Sequence, residues 1–288
     1  MVYIGWPSAR GQVFDLWDCP HLPVDQRALL ERIKRFFKDE GVSFYDKRVD
    51  RGKVAGVAFY GSPDPQNLVV SLITRLPVKS RLLGEKISRL SPEITGVAEE
   101  CGGRAWGLFG EHHIFQRIKG AVYRMSPGGP WPENPFLHQA LVEAVSGLIL
   151  PNASVAEAGA GYFLGLALSE RARRVVAFDV KPELLADMIA SAEASSSENV
   201  FVTLDNLKDI DKKGINVFLV NVERGPVFAE SARDMRDAEQ VIIFGKEMKA
   251  LSLSHRNLTR AGFNMRKLLG FEPSPNRDEA FGLAEYGR

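Results

Sequence analysis

The sequence predicts an α/β protein in which a doubly wound parallel sheet follows a smaller α+β domain. Strand-like and helix-like segments alternate after residue 136, which is typical of a parallel sheet with helices on both faces. The segment VAEAGAGYFLGLALSERARRVVAFDV, residues 155–180, reads as a strand, a glycine turn, a helix and a second strand that ends in an acid. We therefore predict an α+β domain over 1–125 and the doubly wound domain over 126–288.

The predicted first domain combines amphipathic helices with short strands. Residues 24–41 place apolar side chains at helical spacing and end at a glycine, and residues 79–90 return to that period. Residues 112–126 resemble a hairpin that turns at Lys119-Gly120. Bounded runs of β-branched and aromatic residues predict strands over three segments: 53–61, 67–76 and 93–101.

The stretch SPGGPWPENP, residues 126–135, marks the predicted boundary, either as a plain linker or as a shaped loop near a site. A helix is predicted over 136–150. Strand and helix patterns then alternate through 153–158, 164–172, 174–179, 182–194, 199–203, 216–221, 228–236, 240–244 and 253–262.

The composition is typical of a globular protein. The 288 residues are 45% hydrophobic and 25% charged, with a formal net charge of +1. This balance argues against a strongly basic protein that coats nucleic acid. A small excess of cations in the first half could meet phosphates, or could belong to a solvated surface of mixed charge. The sequence has no run of about 18 apolar residues, so we predict no membrane span. With two cysteines and no signal-peptide pattern, we expect a cytoplasmic protein without a metal site.

Polar residues end successive predicted strands of the second domain. In open parallel sheets, ligands lie beyond these strand ends, and an acid about 20 residues after a glycine turn is typical of a ribose ligand. The turn lacks the glycine spacing of a dinucleotide fingerprint, which favours S-adenosylmethionine over NAD. The alternative is a set of solvated strand ends. The predicted cofactor-binding residues are Glu157, Gly159, Gly161, Asp179, Asp205 and Asn221.

Four segments carry a resemblance to a known family: FYDKRVDRGKVAGVAF, YRMSPGGPWPENP, LGLALSERARRVVAFDVKPE and AGFNMRKLLGFEPSPNRDEAFGLAE. In order and spacing they resemble segments of the RNA uracil-5-methyltransferases, which make 5-methyluridine in transfer and ribosomal RNA with S-adenosylmethionine. The similarity is distant and runs from about Cys19 to Arg288. It implies a class I methyltransferase-like, Rossmann-like sheet, an S-adenosylmethionine cofactor and RNA as a partner.

The resemblance also implies a covalent mechanism for which this chain lacks the nucleophile. In the family a cysteine thiolate adds to carbon 6 of uracil, carbon 5 takes the methyl group, and a carboxylate base removes the proton. That cysteine would fall near Phe244 to Lys246, where none stands. The base corresponds to Glu279, which could equally be a surface carboxylate, and the loop retains Asn134.

This sequence departs from the family pattern at two more places, where family members bind the cofactor or an iron–sulfur cluster. Tyr162 and Phe163 stand where the family's second glycine leaves room for the methionine part of the cofactor. Tyr162 either packs into that space or stacks on a ligand. Cys19 matches the last iron–sulfur ligand of some family members, but its partner cysteines are absent from this chain, so we expect no iron–sulfur cluster.

Two functions of different classes follow. The first is a divergent S-adenosylmethionine-dependent RNA methyltransferase-like protein that does not methylate uracil carbon 5 by cysteine addition, with Glu279 and Asn134 as catalytic residues that face the substrate. The second is a pseudoenzyme, a non-catalytic RNA- or protein-binding module on the same scaffold. A small-molecule methyltransferase with residues 20–125 as a lid is a third reading.

Overall fold

The computed structural model describes residues 5–7, 13–15, 24–46, 49–61, 67–131, 135–179, 182–205, 210–224, 235–272 and 280–288. The chain divides into two compact units. Unit 1 comprises Met1–Gln116 and Met125–Gly128, and unit 2 comprises Arg117–Arg124 and Gly129–Arg288.

Unit 1 contains a four-stranded sheet and two helices that share one core. The sheet order is β3-β4-β5-β6, and among these pairs only β4 and β5 are parallel, because helix α2 carries the chain back between them. The elements are β1 (Gly5–Pro7), β2 (Val13–Asp15), α1 (Val24–Asp39), β3 (Val54–Gly61), β4 (Leu68–Thr74), α2 (Arg81–Ser88), β5 (Ile94–Cys101) and β6 (Arg104–Gly110). Strand β6 is absent from the sequence prediction because Gly107 interrupts its apolar pattern.

The amphipathic period of α1 determines which of its faces is buried. Leu29, Ile33 and Phe37 recur at intervals of four residues, and each is at most 3% exposed. They pack in one cluster with Leu72 of β4 and Ile87 of α2. The helices that the sequence predicts at α1 and α2 are therefore confirmed, together with the apolar face of α1.

A buried carboxylate fixes the loop that precedes α2. Glu99 of β5 is fully buried. Its oxygens accept hydrogen bonds from the amide nitrogens of Val78 at 2.6 Å and Lys79 at 2.8 Å. They also accept bonds from the Thr74 hydroxyl at 2.7 Å and the Trp106 indole nitrogen at 3.1 Å. Four donors compensate the desolvation of one carboxylate, so the loop is held from inside the unit.

A hairpin and a seven-stranded sheet follow. Strands β7 (Ile114–Ile118) and β8 (Ala121–Met125) form the hairpin predicted at Lys119-Gly120, and the boundary between the units passes through it. The remaining elements are α3 (Pro135–Leu148), β9 (Ser154–Ala158), a 3-10 helix (Leu164–Leu168), β10 (Arg174–Phe178), α4 (Pro182–Ala194), β11 (Val200–Thr203), β12 (Val217–Asn221), a 3-10 turn (Val222–Arg224), β13 (Gln240–Gly245), α5 (Met248–Arg260), β14 (Asn264–Phe271) and β15 (Phe281–Gly287).

The large sheet has the order β11-β10-β9-β12-β13-β15-β14. The first five strands in this order, β11, β10, β9, β12 and β13, are parallel to one another, whereas β15 is antiparallel to both β13 and β14. The predicted α/β sheet is confirmed, and the reversed β15 is a feature that the alternation of elements does not reveal. Across the described ranges, no helix combines the length and the apolar character needed to cross a lipid bilayer.

Two predicted helices have different bounds in the structure. The helix expected over 164–172 is only a 3-10 helix of five residues, because Phe163 enters it from a left-handed conformation and the chain must turn to start β10. The pattern at 253–262 belongs to α5, which begins earlier, at Met248. Most of the pattern expected at 228–236 falls outside the described residues.

Replacing Glu99 with Gln is expected to lower the free energy of unfolding by about 1–3 kcal/mol. All four partners of Glu99 are donors, so the new side-chain NH₂ group would face at least one of them. Urea unfolding followed by circular dichroism measures the loss. Glu111→Gln, at an exposed position, is the matched control. Equal stability of the two variants would show that Glu99 does not hold the loop.

Candidate functional site

The carboxyl ends of parallel strands bring predicted site residues to one edge of the unit 2 sheet. Ala158 of β9 pairs with Phe178 of β10 and with Val220 of β12. The residues that follow are therefore neighbours across the sheet, namely Gly159, Asp179 and Asn221. Asp205 follows the edge strand β11 on the same side, two residues after Thr203. This edge is the place where an open parallel sheet binds ligands.

The glycine turn folds tightly over the end of β10. Gly159 adopts a φ of +65°, a left-handed conformation that favours glycine. The amides of Gly159 and Ala160 both donate to the Phe178 carbonyl, at 3.1 and 3.2 Å, and the amide of Gly161 donates to Gly159 at 2.7 Å. The amides of this turn therefore bond to the chain itself.

Glu157 acts as an internal cap for the segment after the turn. Its two carboxylate oxygens accept hydrogen bonds from the amides of Leu164 at 2.9 Å and Gly165 at 2.8 Å, the start of the 3-10 helix. The side chain is fully buried. Burial raises the pKa of Glu157 to about 7, against the opposing effect of the two amide bonds, and the nearby Asp179 adds to the rise. The binding of a cofactor by Glu157 stays a prediction, but both of its oxygens already have partners.

The close approach of Glu157 requires glycine at position 165, a residue that the sequence analysis missed. A Cβ atom there would lie 2.7 Å from an oxygen of Glu157 and 2.8 Å from Val175. The residue before the 3-10 helix is unusual as well. Phe163 is fully buried and has a φ of +48°, which costs a non-glycine residue about 1–2 kcal/mol. The spacing of Gly161 and Gly165 is the one sequence signal for this geometry.

Tyr162 belongs to an aromatic cluster that we define as Tyr162, Phe244, Phe281 and His138. Its ring centroid lies 6.0 Å from that of Phe244 on β13 and 5.8 Å from that of Phe281 on β15, both edge-on. Tyr162 is 7% exposed, and both phenylalanines are at most 1% exposed. Of the two roles considered for Tyr162, the structure shows packing.

His138 completes the aromatic cluster from helix α3. It is fully buried, with ring centroids 6.3 Å from Tyr162 and 4.8 Å from Tyr123. Burial lowers the pKa of His138 to about 4, so the imidazole is neutral at neutral pH. The apolar pattern of α3 gives no signal that a histidine lies in the core.

The other strand-end residues differ in accessibility. Asp179 is 4% exposed and Asn221 is 5% exposed, whereas Asp205 is exposed. The Thr203 hydroxyl donates to Asp205 at 2.6 Å. The Asn221 side-chain oxygen accepts the amide of Glu223 at 3.0 Å, which forms an Asx turn at the end of β12.

The junction between β13 and α5 is held by a residue that sequence reasoning missed. Glu223, next to the end of β12, accepts a hydrogen bond from the amide of Lys246. Between them Gly245 is closely packed, because a Cβ atom there would lie 2.8 Å from Val222. The family resemblance places the nucleophilic cysteine in this segment. The residues at that place are Phe244, Gly245 and Lys246.

Both predicted catalytic residues, Asn134 and Glu279, lie outside the described residues, as does Cys19. Their roles stay predictions. Cys101 is a free cysteine on β5 of unit 1. In the part of the chain that the structure describes, no group of three or more His, Cys, Asp or Glu side chains could hold a metal ion.

No family model matches the chain. A tRNA (uracil(54)-C(5))-methyltransferase from Pyrococcus horikoshii is 20% identical over 238 residues, which cover 81% of this chain and 58% of that protein. An uncharacterized RNA methyltransferase from Lactobacillus johnsonii is 25% identical over 237 residues, 76% of this chain and 51% of that protein. The chain thus spans little more than half the length of these relatives. The resemblance to RNA methyltransferases is confirmed.

Similarity to a solved structure establishes the fold. The tRNA (uracil-54, C5)-methyltransferase of Pyrococcus abyssi, in complex with S-adenosyl-L-homocysteine, matches with a TM-score of 0.80 at 14% identity, covering 99% of this chain and 71% of that one. The predicted class I methyltransferase-like sheet, preceded by a smaller α+β domain, is therefore confirmed.

The burial of Glu157 predicts a pH-dependent stability. Its folded pKa lies above the ordinary value of 4.5, so its contribution to stability is full below about pH 4.5 and is lost as the pH rises through about 7. Glu157→Gln should flatten this decline in the free energy of unfolding, by at most about 3 kcal/mol. Urea unfolding across this pH range is the measurement, with the exposed Glu170→Gln as control. A decline of unchanged size in Glu157→Gln would contradict the burial of this carboxylate.

The burial of His138 predicts a decline of stability at the acid end of the pH range. Its folded pKa lies below the ordinary 6.5, so its contribution is full above about pH 6.5 and is lost as the pH falls through about 4. His138→Phe keeps an aromatic ring beside Tyr123 and should reduce the loss of stability at acid pH. Thermal unfolding between these pH values tests this, and His255→Phe, at an exposed position, is the control. If the control reduced this loss as much, the assignment to His138 would be wrong.

Proposed function

We propose that this chain is a divergent S-adenosylmethionine-dependent RNA methyltransferase-like protein that does not methylate carbon 5 of uracil by cysteine addition. One observation carries the second half of the proposal. The segment from Phe244 to Lys246, near which the family resemblance puts the nucleophile, contains no thiol, and Glu223 holds its backbone. Similarity to RNA methyltransferases over most of the chain supports the first half.

The missing thiol restricts the methyl acceptor. Carbon 5 of uracil is a poor nucleophile until a thiolate has added to carbon 6, so that route needs the cysteine. An oxygen or nitrogen acceptor carries its own lone pair and needs only the loss of a proton to a base. S-adenosylmethionine supplies an electrophilic methyl group when bound. In this proposal Glu279 serves as the base and Asn134 contacts the substrate.

The residues at the strand ends fit the nucleoside half of the cofactor better than the methionine half. Asp179 and Asp205 end neighbouring strands, and carboxylates in these positions suit ribose hydroxyls and a base edge. Gly159, Gly161 and Asn221 complete the proposed set. By contrast, both oxygens of Glu157 bond to the chain, and Tyr162 packs where the family leaves room for methionine.

The aromatic cluster favours a second candidate, a non-catalytic RNA- or protein-binding module on a methyltransferase scaffold. If the Tyr162 ring keeps its contacts with Phe244 and Phe281, the methionine part of the cofactor has no space beside the turn. The two candidates therefore differ in one measurable property, the affinity of the folded chain for the cofactor.

The first candidate predicts saturable binding of S-adenosylhomocysteine in a calorimetric titration. Asp179→Asn should weaken this binding about tenfold or more, because hydrogen bonds to a charged carboxylate are worth about 1.5–3 kcal/mol. Asp237→Asn is the matched control, since its side chain is 94% exposed. Tight binding that Asp179→Asn leaves unchanged would contradict the proposed ribose contact.

The variant Tyr162→Ala separates the two candidates. In one outcome the wild-type chain shows no heat of binding with S-adenosylhomocysteine, whereas Tyr162→Ala binds it. The ring then fills the space for the methionine part of the cofactor, and the second candidate is correct. If neither binds, the assignment of a cofactor to this edge of the sheet is wrong. Binding of equal strength by both supports the first candidate and shows that the ring does not obstruct the ligand.

A further inference from the structure

The opposite edge of the unit 2 sheet carries a basic cleft that the proposed cofactor site does not use. It lies at the amino ends of β9, β10 and β11 and has a volume of about 580 Å³. We call it the amino-edge cleft and define it by five of its lining residues, Ser154, Arg173, Arg174, Phe201 and Lys213.

Arg173 is held in a fixed orientation at the entrance to β10. Its Nε and Nη2 atoms donate to the Ser154 hydroxyl oxygen at 3.2 and 2.9 Å. Ser154 is itself positioned, because its amide donates to the side-chain oxygen of Asn216 at 2.8 Å. A guanidinium has five N–H donors, so these two bonds leave others for an anion. The remaining N–H groups of the guanidinium are thus held in position for a phosphate.

Arg174 and Phe201 form a stacked pair beside it. The Arg174 guanidinium carbon lies 5.0 Å from the centroid of the Phe201 ring, within the range of a cation–π contact. Phe201 is 50% exposed, although it lies on a strand of the main sheet. Because β11 is the edge strand, its outer side has no neighbouring strand. A half-exposed ring next to cations is the arrangement on which single-stranded nucleic acids stack their bases.

Cations outnumber acids among the residues that line the amino-edge cleft. Arg173, Arg174 and Lys213 form no ion pair with any residue in the described ranges, and Glu198 is the one carboxylate among the described residues that line the cleft. Elsewhere in unit 2, the exposed Lys119 pairs with Glu143 at 2.9 Å. The cleft therefore keeps a net positive charge, which attracts anionic ligands.

We propose that the amino-edge cleft binds single-stranded RNA, with a phosphate on Arg173, Arg174 and Lys213 and the adjoining base on Phe201. The choice of RNA as the anion rests on the proposed function. The five-residue strand β10 separates this cleft from Asp179 by about 17 Å at ~3.3 Å per residue. The cleft therefore holds a flanking part of the RNA and does not contact the nucleotide that would be modified.

The test is the affinity of the full chain for a fluorescent single-stranded oligoribonucleotide, measured by anisotropy across a salt series. Arg173→Ala/Arg174→Ala should weaken binding about tenfold and reduce the slope of log affinity against log salt by about 1. Arg256→Ala/Arg260→Ala removes two exposed arginines from α5 and should change the affinity much less. Phe201→Ala should weaken binding about tenfold and leave the salt slope unchanged, with the exposed Leu253→Ala as its control.

Arg173→Lys/Arg174→Lys keeps the test valid if the double alanine variant fails to fold. This variant retains both positive charges and loses both guanidinium groups. The slope of log affinity against log salt should therefore persist, while the affinity itself falls. RNA binding by the wild-type chain that the cleft variants weaken no more than their controls would overturn this inference and leave the proposed function standing. No RNA binding by the wild-type chain at low salt would overturn both.

Discussion

The hydrogen bonds from the Leu164 and Gly165 amides to Glu157 are the interaction on which the carboxyl edge of the unit 2 sheet depends. They connect the interior strand β9 to the segment after the glycine turn, and so fix where that turn lies over β10. The contact is close enough to exclude any side chain at position 165. An acid at the tip of a strand, which resembles a ligand-binding residue in the sequence, thus has its first role inside the protein.

Each unit contains a buried carboxylate that accepts backbone amides. Glu99 in unit 1 and Glu157 in unit 2 are fully buried strand residues, and each accepts two backbone amides from a neighbouring loop. A buried carboxylate is costly unless donors surround it, so its partners become structurally obligatory. In unit 2 this carboxylate brings Tyr162 against the last residues of β13 and the first of β15. The arrangement of side chains at this edge of the sheet is therefore set from the core outward.

Sequence patterns predict the parts of this fold that depend on local periodicity. The buried face of α1, the hairpin at Lys119-Gly120 and the parallel strands follow from spacing and turn residues. The pattern also brings Asp179 and Asn221 to one edge, since both end parallel strands. It misses β6, which Gly107 interrupts, and it gives no hint that β15 is reversed.

The features that escape prediction arise from contacts between distant residues. Whether Glu157 faces a ligand or an amide depends on the path of the chain eight residues later, and a left-handed phenylalanine at 163 contradicts local preference. The roles of His138 and Glu223 likewise exist only in the folded chain. For the same reason the amino-edge cleft has no motif, because its residues come from four separate segments.

Carbon-13 NMR titration of the Glu157 side-chain carboxyl group tests the central claim most directly, with the Leu164 and Gly165 amides observed in parallel. If the carboxylate is an internal cap, it titrates near pH 7 and both amide signals shift with the same midpoint. A midpoint near the ordinary value of 4.5, with amides that do not respond, would place Glu157 in solvent and free for a ligand, and would contradict this account.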